Sequence, residues 1–420
     1  MKQTLAQKIL AIKANRGFVQ VGEIVEIEPD RVMSHDNAGL VIKQFQKIGV
    51  EKVWNPDKIV IILDHRVPAE SVKTANAHKM IREFVQTQKI EKFYDIQAGI
   101  CHQIMIERGY VLPGNLILGT DSHTTSYGSL GAFSAGIGAT EMASVWAIGK
   151  IWLRVPESIK IKVSGRFQPG VYAKDLILFI IGMLKADGAN YQSVEFYGPT
   201  IKSMSISERI TLTNLSMEMG AKCAFVSPDT VTKRYLKDRT ISVYETILAD
   251  KRADYSSKFE IDVDTLEPQI ACPHQVDHVK PVNEIKGKEI HQALLGSCTN
   301  GRLDDLEIAA NILRGNKVNK NVRMLVIPAS MTIYKQMIEK GLMKIFIDAG
   351  CVICNSGCGP CLGAHQGILA DGEVCIATTN RNFKGRMGSP NSEVYLASPA
   401  TVTTSAILGK IDLPATFNKH

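Results

Sequence analysis

The residues best suited to chemistry in this chain are Cys358 and Cys361, a CxxC pair in the stretch NSGCGPCLGA at 355–364. Glycine and proline kink such a loop, turning two thiols toward one point while leaving backbone N–H groups free. Two thiolates complete neither a tetrahedral zinc site nor an iron–sulfur cubane, so the pair needs help from elsewhere. The best candidate is Cys298 in LLGSCTNGR, another glycine-flanked turn directly after an apolar run. A four-iron cluster on three protein thiolates has one iron without a protein ligand. Such an iron is a Lewis acid that can take a hydroxyl or water.

Cys351 and Cys354 lie just upstream, but zinc ribbons separate their CxxC pairs by far more than the three residues between Cys354 and Cys358. Both sit in the apolar AGCVIC, where a thiol behaves as a small hydrophobe, and they are assigned to packing. A second set of groups can move protons: Asp64-His65, His102 and the trio Asp121-Ser122-His123. A carboxylate on one ring nitrogen fixes the tautomer and raises the imidazole pKa, which makes a proton donor near neutral pH. No GxSxG elbow surrounds Ser122, which argues against a serine hydrolase. His35, in the trio Ser34-His35-Asp36, reads first as a surface or capping residue. Asn380, Arg381 and Arg386 form a cluster suited to bidentate carboxylate recognition.

These groups share one kind of address. The runs at 59–63, 116–118, 293–295 and 374–377 are short, apolar and β-rich, and each ends in one of the polar sets above. Continuous apolar runs suit strands buried on both faces of a mostly parallel sheet. In open α/β sheets ligands bind beyond the carboxyl ends of the strands, so the four endings are expected to be neighbours in one site. Helical patterns at 77–88 and 139–153 connect them. The glycines of GSLGAFSAGIGATE lack a strand–GxGxxG–helix context, which speaks against a dinucleotide site.

At 420 residues the chain exceeds one ordinary core. The strand pattern restarts at IKIKVSG, so the expected units are 1–155, 156–268 and 289–420, with the polar, proline-containing 269–288 as a linker. No internal sequence repeat is evident, although the first and third units share the habit of a strand followed by a polar turn. The net charge of +7 carries no lysine or arginine block and favours small acidic ligands over nucleic acid. Aromatics at 6% argue against an RNA-binding surface, and the histidine–carboxylate pairs against a simple electron carrier. The N-terminus lacks a signal-peptide core, and the longest apolar run, LILFIIGML, is too short to span a bilayer. Nine cysteines, an odd number, fit reduced thiols and metal better than disulfides, and a cytoplasmic location is expected.

At these residues the chain resembles the aconitase superfamily: GTDSHTTSYGSLGAFSAGIGATE, GSCTNGRLDDL, CGPCLG and NRNFKGR match its signatures in the family's order across nearly the whole chain. Within it the chain looks like the two-subunit branch of isopropylmalate dehydratases and homoaconitases. The resemblance implies three α/β/α domains of the aconitase type, with mostly parallel sheets around an active-site cleft. It implies one [4Fe-4S] cluster on Cys298, Cys358 and Cys361, and catalytic pairs Asp64 with His65, Asp121 with His102, and Glu218 with His123. Asn380, Arg381 and Arg386 would hold substrate carboxylate, with Ser122 and Asn214 nearby and His35 where aconitases place a substrate-contacting glutamine. The substrate class implied is a small hydroxy di- or tricarboxylic acid, isomerised by dehydration and rehydration. Single-chain aconitases carry a further swivelling domain, whereas this chain ends after the third unit. A separate small subunit is therefore implied, carrying the serine base and the substrate-specificity loop. No nucleic acid or membrane partner is implied.

Overall fold

The computed structural model describes residues 2–414. A five-stranded sheet runs, edge to edge, Phe93–Tyr94, Ile59–Ile62, Arg31–Ser34, Leu116–Gly119 and Phe133–Gly136, with all pairs parallel. Numbered along the chain within this unit the order is 3-2-1-4-5, a doubly wound arrangement. Ile59–Ile62 and Leu116–Gly119 are buried at every position, as strands covered on both faces must be.

The second sheet, Cys223–Val226, Ser193–Tyr197, Ser158–Ser164 and Ser257–Asp262, is also parallel throughout and has the order 3-2-1-4. The third has seven strands. Its parallel part, Val352–Ile353, Arg323–Ile327, Gln292–Gly296, Val374–Ala377 and Glu393–Leu396, again has the order 3-2-1-4-5. The segment expected as a linker carries Gln269–Ala271 and Val279–Pro281, which extend this third sheet antiparallel beyond Glu393–Leu396. One winding thus recurs three times without a repeat in sequence.

The helix Ala173–Leu184 joins the second and third units. After Lys174 and Asp175 in the first turn its sequence is apolar throughout, the composition of a helix buried on most of its faces. Leu176, Ile177, Leu178, Ile180 and Ile181 are fully buried in a core that also takes in Val194 and Phe196 of the second sheet and Leu294, Ala377 and Leu396 of the third. Each such side chain contributes about 1.5–3 kcal/mol by leaving water. Helix Ala139–Ile148 is shorter than its pattern suggests: Gly149 ends it at φ 73°, and Ile151–Arg154 is a strand antiparallel to Ile24–Ile27. Among the described residues no helix is long and apolar enough to cross a membrane.

Candidate active site

In the first sheet the strand order reverses between Arg31–Ser34 and Leu116–Gly119; in the third it reverses between Gln292–Gly296 and Val374–Ala377. Chain leaving these four strands carries His35, Asp121, Cys298 and Asn380. The next strand of the first sheet, Ile59–Ile62, leads into Asp64 and His65.

His65 lies between two carboxylates, with Nδ1 2.6 Å from Asp64 Oδ1 and Nε2 3.5 Å from Asp121 Oδ2. Burial alone would lower its pKa, but Asp64 and Asp121 raise it well above the usual value, which favours the charged ring. His35 stacks on it at 3.8 Å between ring centroids. Burial and the neighbouring His65 cation push His35 down to about 4, so His35 is neutral and accepts at Nδ1 from the Asn37 N–H.

Asp121 also bonds His102, Nε2 to Oδ1 at 2.8 Å, and accepts the backbone N–H of His123 at 2.7 Å. Tyr127 fixes the other His102 nitrogen at 3.1 Å. Burial opposes ionisation of Asp121, but bonds from His102, His123 and His65 hold its carboxyl well below the usual range. His123 Nε2 is 2.9 Å from Glu218 Oε1, and that oxygen also accepts from Arg381 Nε at 2.8 Å. Arg381 reaches Ser122 Oγ at 3.5 Å. Glu218 and Asn214 come from the second unit, on the 3-10 turn Ser216–Met219 and the helix Ile206–Leu215.

The thiol side is built by turns. Ser297, at φ 84°, is a non-glycine residue in the left-handed region, and this strained turn presents Cys298. The amides of Asn214 and Asn380 donate to Cys298 Sγ at 3.2 and 3.3 Å, and Asn380 Oδ1 is 3.5 Å from Cys361 Sγ. Cys358 donates its N–H to the Asp64 carbonyl at 2.8 Å, with Sγ 3.8 Å from Asp64 Oδ2. Gly357 permits this approach, since a Cβ there would lie 2.7 Å from the same carbonyl. Arg386 donates toward Cys361, and its Nε, fully buried, has no partner. Burial and the mutual fields of the thiols push Cys298 up to about 12 and Cys358 well above its ordinary value. Three buried thiols supported by amide and guanidinium donors suit a polynuclear cation, which would stabilise them as thiolates. Cys354 and Cys351 belong to different apolar clusters, on the two sides of the third sheet's edge.

Every candidate site residue thus falls in one connected network. Sequence reasoning missed Asp36, whose carboxylate accepts the N–H groups of Asp64, His65 and Arg66 at 2.8, 2.7 and 3.1 Å and meets His78 Nε2 at 2.8 Å. The available signal was its place in the polar trio Ser34-His35-Asp36, directly after the strand Arg31–Ser34. A cavity of about 710 Å³ lies elsewhere, lined by Lys174, Glu208, Asp304, Asp305 and Glu307 among others. It holds none of the thiols or imidazoles, and its carboxylates would repel an acidic substrate.

Fold and site together are those of an aconitase-type dehydratase, and the chain belongs to the aconitase family (aconitate hydratase), whose model matches residues 7–409. It is similar to the probable 3-isopropylmalate dehydratase large subunit of Methanothermobacter thermautotrophicus, at 50% identity over 99% of this chain and 100% of that one. It is also 48% identical to the probable methanogen homoaconitase large subunit of the same organism, over 99% and 98% of the two chains. The 3-isopropylmalate dehydratase large subunit of Aquifex aeolicus is 46% identical over 99% and 97%. Among solved structures, Thermococcus kodakaraensis aconitase X shares the fold at a TM-score of 0.50 and 12% identity, covering 92% of this chain and 93% of that one.

Proposed function

We propose that this chain is the cluster-bearing large subunit of a hydro-lyase that isomerises 2-isopropylmalate to 3-isopropylmalate through isopropylmaleate, in the cytoplasm, as a step of leucine synthesis. The observation that carries the reading is the meeting of three buried thiols, three histidine–carboxylate pairs and two guanidiniums in one network. Near-full-length similarity to 3-isopropylmalate dehydratase large subunits supports the substrate. The 48% identity to a homoaconitase large subunit makes homologous tricarboxylates the second reading. Methylmalate and dimethylmalate are smaller acids of the same class.

A [4Fe-4S] cluster held by Cys298, Cys358 and Cys361 would supply, when bound, one iron without a protein ligand as a Lewis acid for the substrate hydroxyl. Asn214 and Asn380 keep the Cys298 sulfur hydrogen-bonded. Arg386, with its unpartnered Nε, and Arg381 hold substrate carboxylate, and Ser122 flanks them. His65, kept cationic between Asp64 and Asp121, gives a proton to the departing hydroxyl. His102 and His123, each fixed by its own carboxylate, accept and return protons of the released water. Neutral His35 donates a hydrogen bond to substrate from Nε2.

Dehydration also needs a base at the carbon-bound proton. No serine or lysine in these motifs stands as that base, and we assign it to a small subunit of swivelling-domain type that covers the substrate's side chain. The test is to load the chain anaerobically with iron and sulfide and assay it alone and mixed with a candidate small subunit. Turnover of 2-isopropylmalate should appear only in the mixture and follow the small subunit's specificity. Substantial isomerase activity from the single chain would overturn the split site, and preference for homoaconitate with every small subunit would favour the second reading.

A further inference from the structure

The antiparallel ribbon of Ile24–Ile27 and Ile151–Arg154 has one face on the core and one in water. Val25, Ile27 and Leu153 are buried in the core of the first unit, and the alternate positions Ile24, Glu26, Trp152 and Arg154 are exposed. Register places Ile24 opposite Arg154 and Glu26 opposite Trp152. The exposed face is therefore a two-by-two board, with the apolar side chains on one diagonal and the opposite charges on the other. Diagonal neighbours of an antiparallel pair stand about 7–8 Å apart, within reach of an indole. Trp152 is 65% exposed and Ile24 63%. Single apolar residues on a surface are ordinary, but an indole beside a branched aliphatic side chain on a regular ladder is a contact surface. The charges are open to a new partner as well. Among the described residues Glu26 pairs only with Lys150, in an ion pair exposed on both sides that contributes little. Arg154 lies over the Tyr191 ring, 4.4 Å from its centroid, and among the described residues it pairs with no carboxylate.

We propose that this face joins two copies of the chain about a two-fold axis along the Ile24–Trp152 diagonal. Such an axis lays Ile24 and Trp152 on their own counterparts and exchanges the other diagonal, so that Glu26 of each copy meets the partner's Arg154. The other in-plane axes of the board fail. An axis along or across the strands sets apolar against charged positions, and the remaining diagonal sets arginine on arginine and glutamate on glutamate. Self-complementarity in charge thus selects a second copy as the occupant and fixes how it lies, with the two ribbons crossing steeply as in orthogonal sheet packing. Tryptophan and arginine are also the side chains that most often dominate such contacts. The place of the ribbon leaves the rest of the molecule free. Ile24–Ile27 leads into the start of Arg31–Ser34, and Ile151–Arg154 into the start of Ser158–Ser164, so the ribbon lies at the amino ends of these strands. The thiols and imidazoles lie beyond carboxyl ends, so each copy in the pair can still take its own small subunit.

The test is sedimentation equilibrium of the full chain over roughly 1–100 μM, the range in which a modest homodimer dissociates. The wild type should sediment as a dimer. Trp152→Glu should raise the dissociation constant at least about tenfold, because it puts charge on charge at the centre of the contact. Glu26→Arg alone and Arg154→Glu alone each bring like charges together twice, and each should weaken the dimer at least about tenfold. An equimolar mixture of these two single variants should recover a dissociation constant within about threefold of wild type, since the mixed dimer restores an opposite charge at both contacts. A wild type that is monomeric at every concentration overturns the proposal. So does a dimer that Trp152→Glu leaves unmoved, which would place the interface elsewhere, and so does a mixture no tighter than its components. If Trp152→Glu does not fold, the mixing experiment decides by itself, because Glu26 and Arg154 are both exposed.

Discussion

The first and third units wind their parallel strands in the same order, yet the chain beyond the strand ends differs in kind. In the first unit His65, His102 and His123 each meet a carboxylate, the last from Glu218 of the second unit, and Asp36 ties the arrangement together by accepting three backbone N–H groups and meeting His78. In the third the groups are under-satisfied. Cys298 is pushed up to about 12, and the buried Arg386 Nε and Thr379 Oγ1 have no partner. Buried polar groups without partners are costly, and in native proteins they mark places where something binds. One winding therefore presents two surfaces, an acid–base half whose catalytic imidazoles are mostly paired with carboxylates and a half suited to receiving a cluster and an anion. The lesson is that the fold fixes where chemistry can stand and the residues leaving the strands decide what it is.

If the third unit is the receiving half, its thiols should differ sharply among themselves. Cys358→Ala should reduce iron in anaerobically reconstituted protein to background, because a third of the ligand set is lost. Cys351→Ala and Cys354→Ala, which remove sulfur from apolar clusters, should leave iron near the wild-type level. Equal iron loss in all three, measured by metal analysis, would erase the distinction between ligand and packing thiols.

The first unit should fail in the opposite way. Asp121 is bonded to His102 and to the His123 backbone and lies 3.5 Å from His65. Asp121→Asn loses the charge that these rings share, so turnover with the small subunit present should fall by roughly 10²–10⁴-fold. Iron content should not change. Arg386→Lys, back in the third unit, should lower turnover by roughly 10²-fold, since an ammonium cannot rebuild a planar bidentate contact and misplaced substrate is costly. Its melting temperature should stay near wild type; a large drop with normal kinetics would make Arg386 structural.

The strand ends were legible because parallel strands buried on both faces read as continuous apolar runs, and the residues just beyond them are free to be polar. Cys298, Asp64, Asp121 and Asn380 could be found that way. Asn214 and Glu218 could not, since they arrive from a helix and turn of the second unit, and only family motifs pointed to them. Residues 269–288 lose periodicity because their two strands are three residues each and one ends in Pro281, so local pattern hides their pairing in the third sheet. The strand Ile151–Arg154 was merged with the preceding helix because its apolar residues fit either period, although Gly149 carried the helix-stop signal. Asp36 and His78 lie in different segments, a loop and the helix Val72–Gln88. Contacts of that kind depend on tertiary geometry, which spacing does not encode.

The smallest effect concerns Asp36, and it separates anchoring from chemistry within the first unit. Burial raises its pKa, but the His78 bond, the positive charge favoured at His65 and the His65 backbone N–H outweigh that and hold it well below the ordinary carboxylate range. A depressed folded-state pKa contributes stability that is present above the unfolded value, about 3.9, and is lost as pH falls through the folded one. Asp36→Asn removes the charge that several N–H groups share, which should cost about 2–3 kcal/mol at pH 7 by urea denaturation. The gap between variant and wild type should narrow as pH drops below about 4, where the wild-type carboxylate begins to lose its advantage over its unfolded state. Because Asp36 holds the backbone of Asp64 and His65, and Asp64 in turn bonds the Cys358 N–H, the variant should also loosen both halves of the site together. A stability gap that stays constant from pH 7 to pH 3 would mean that the Asp36 charge contributes nothing to the fold and that its hydrogen bonds act as neutral ones.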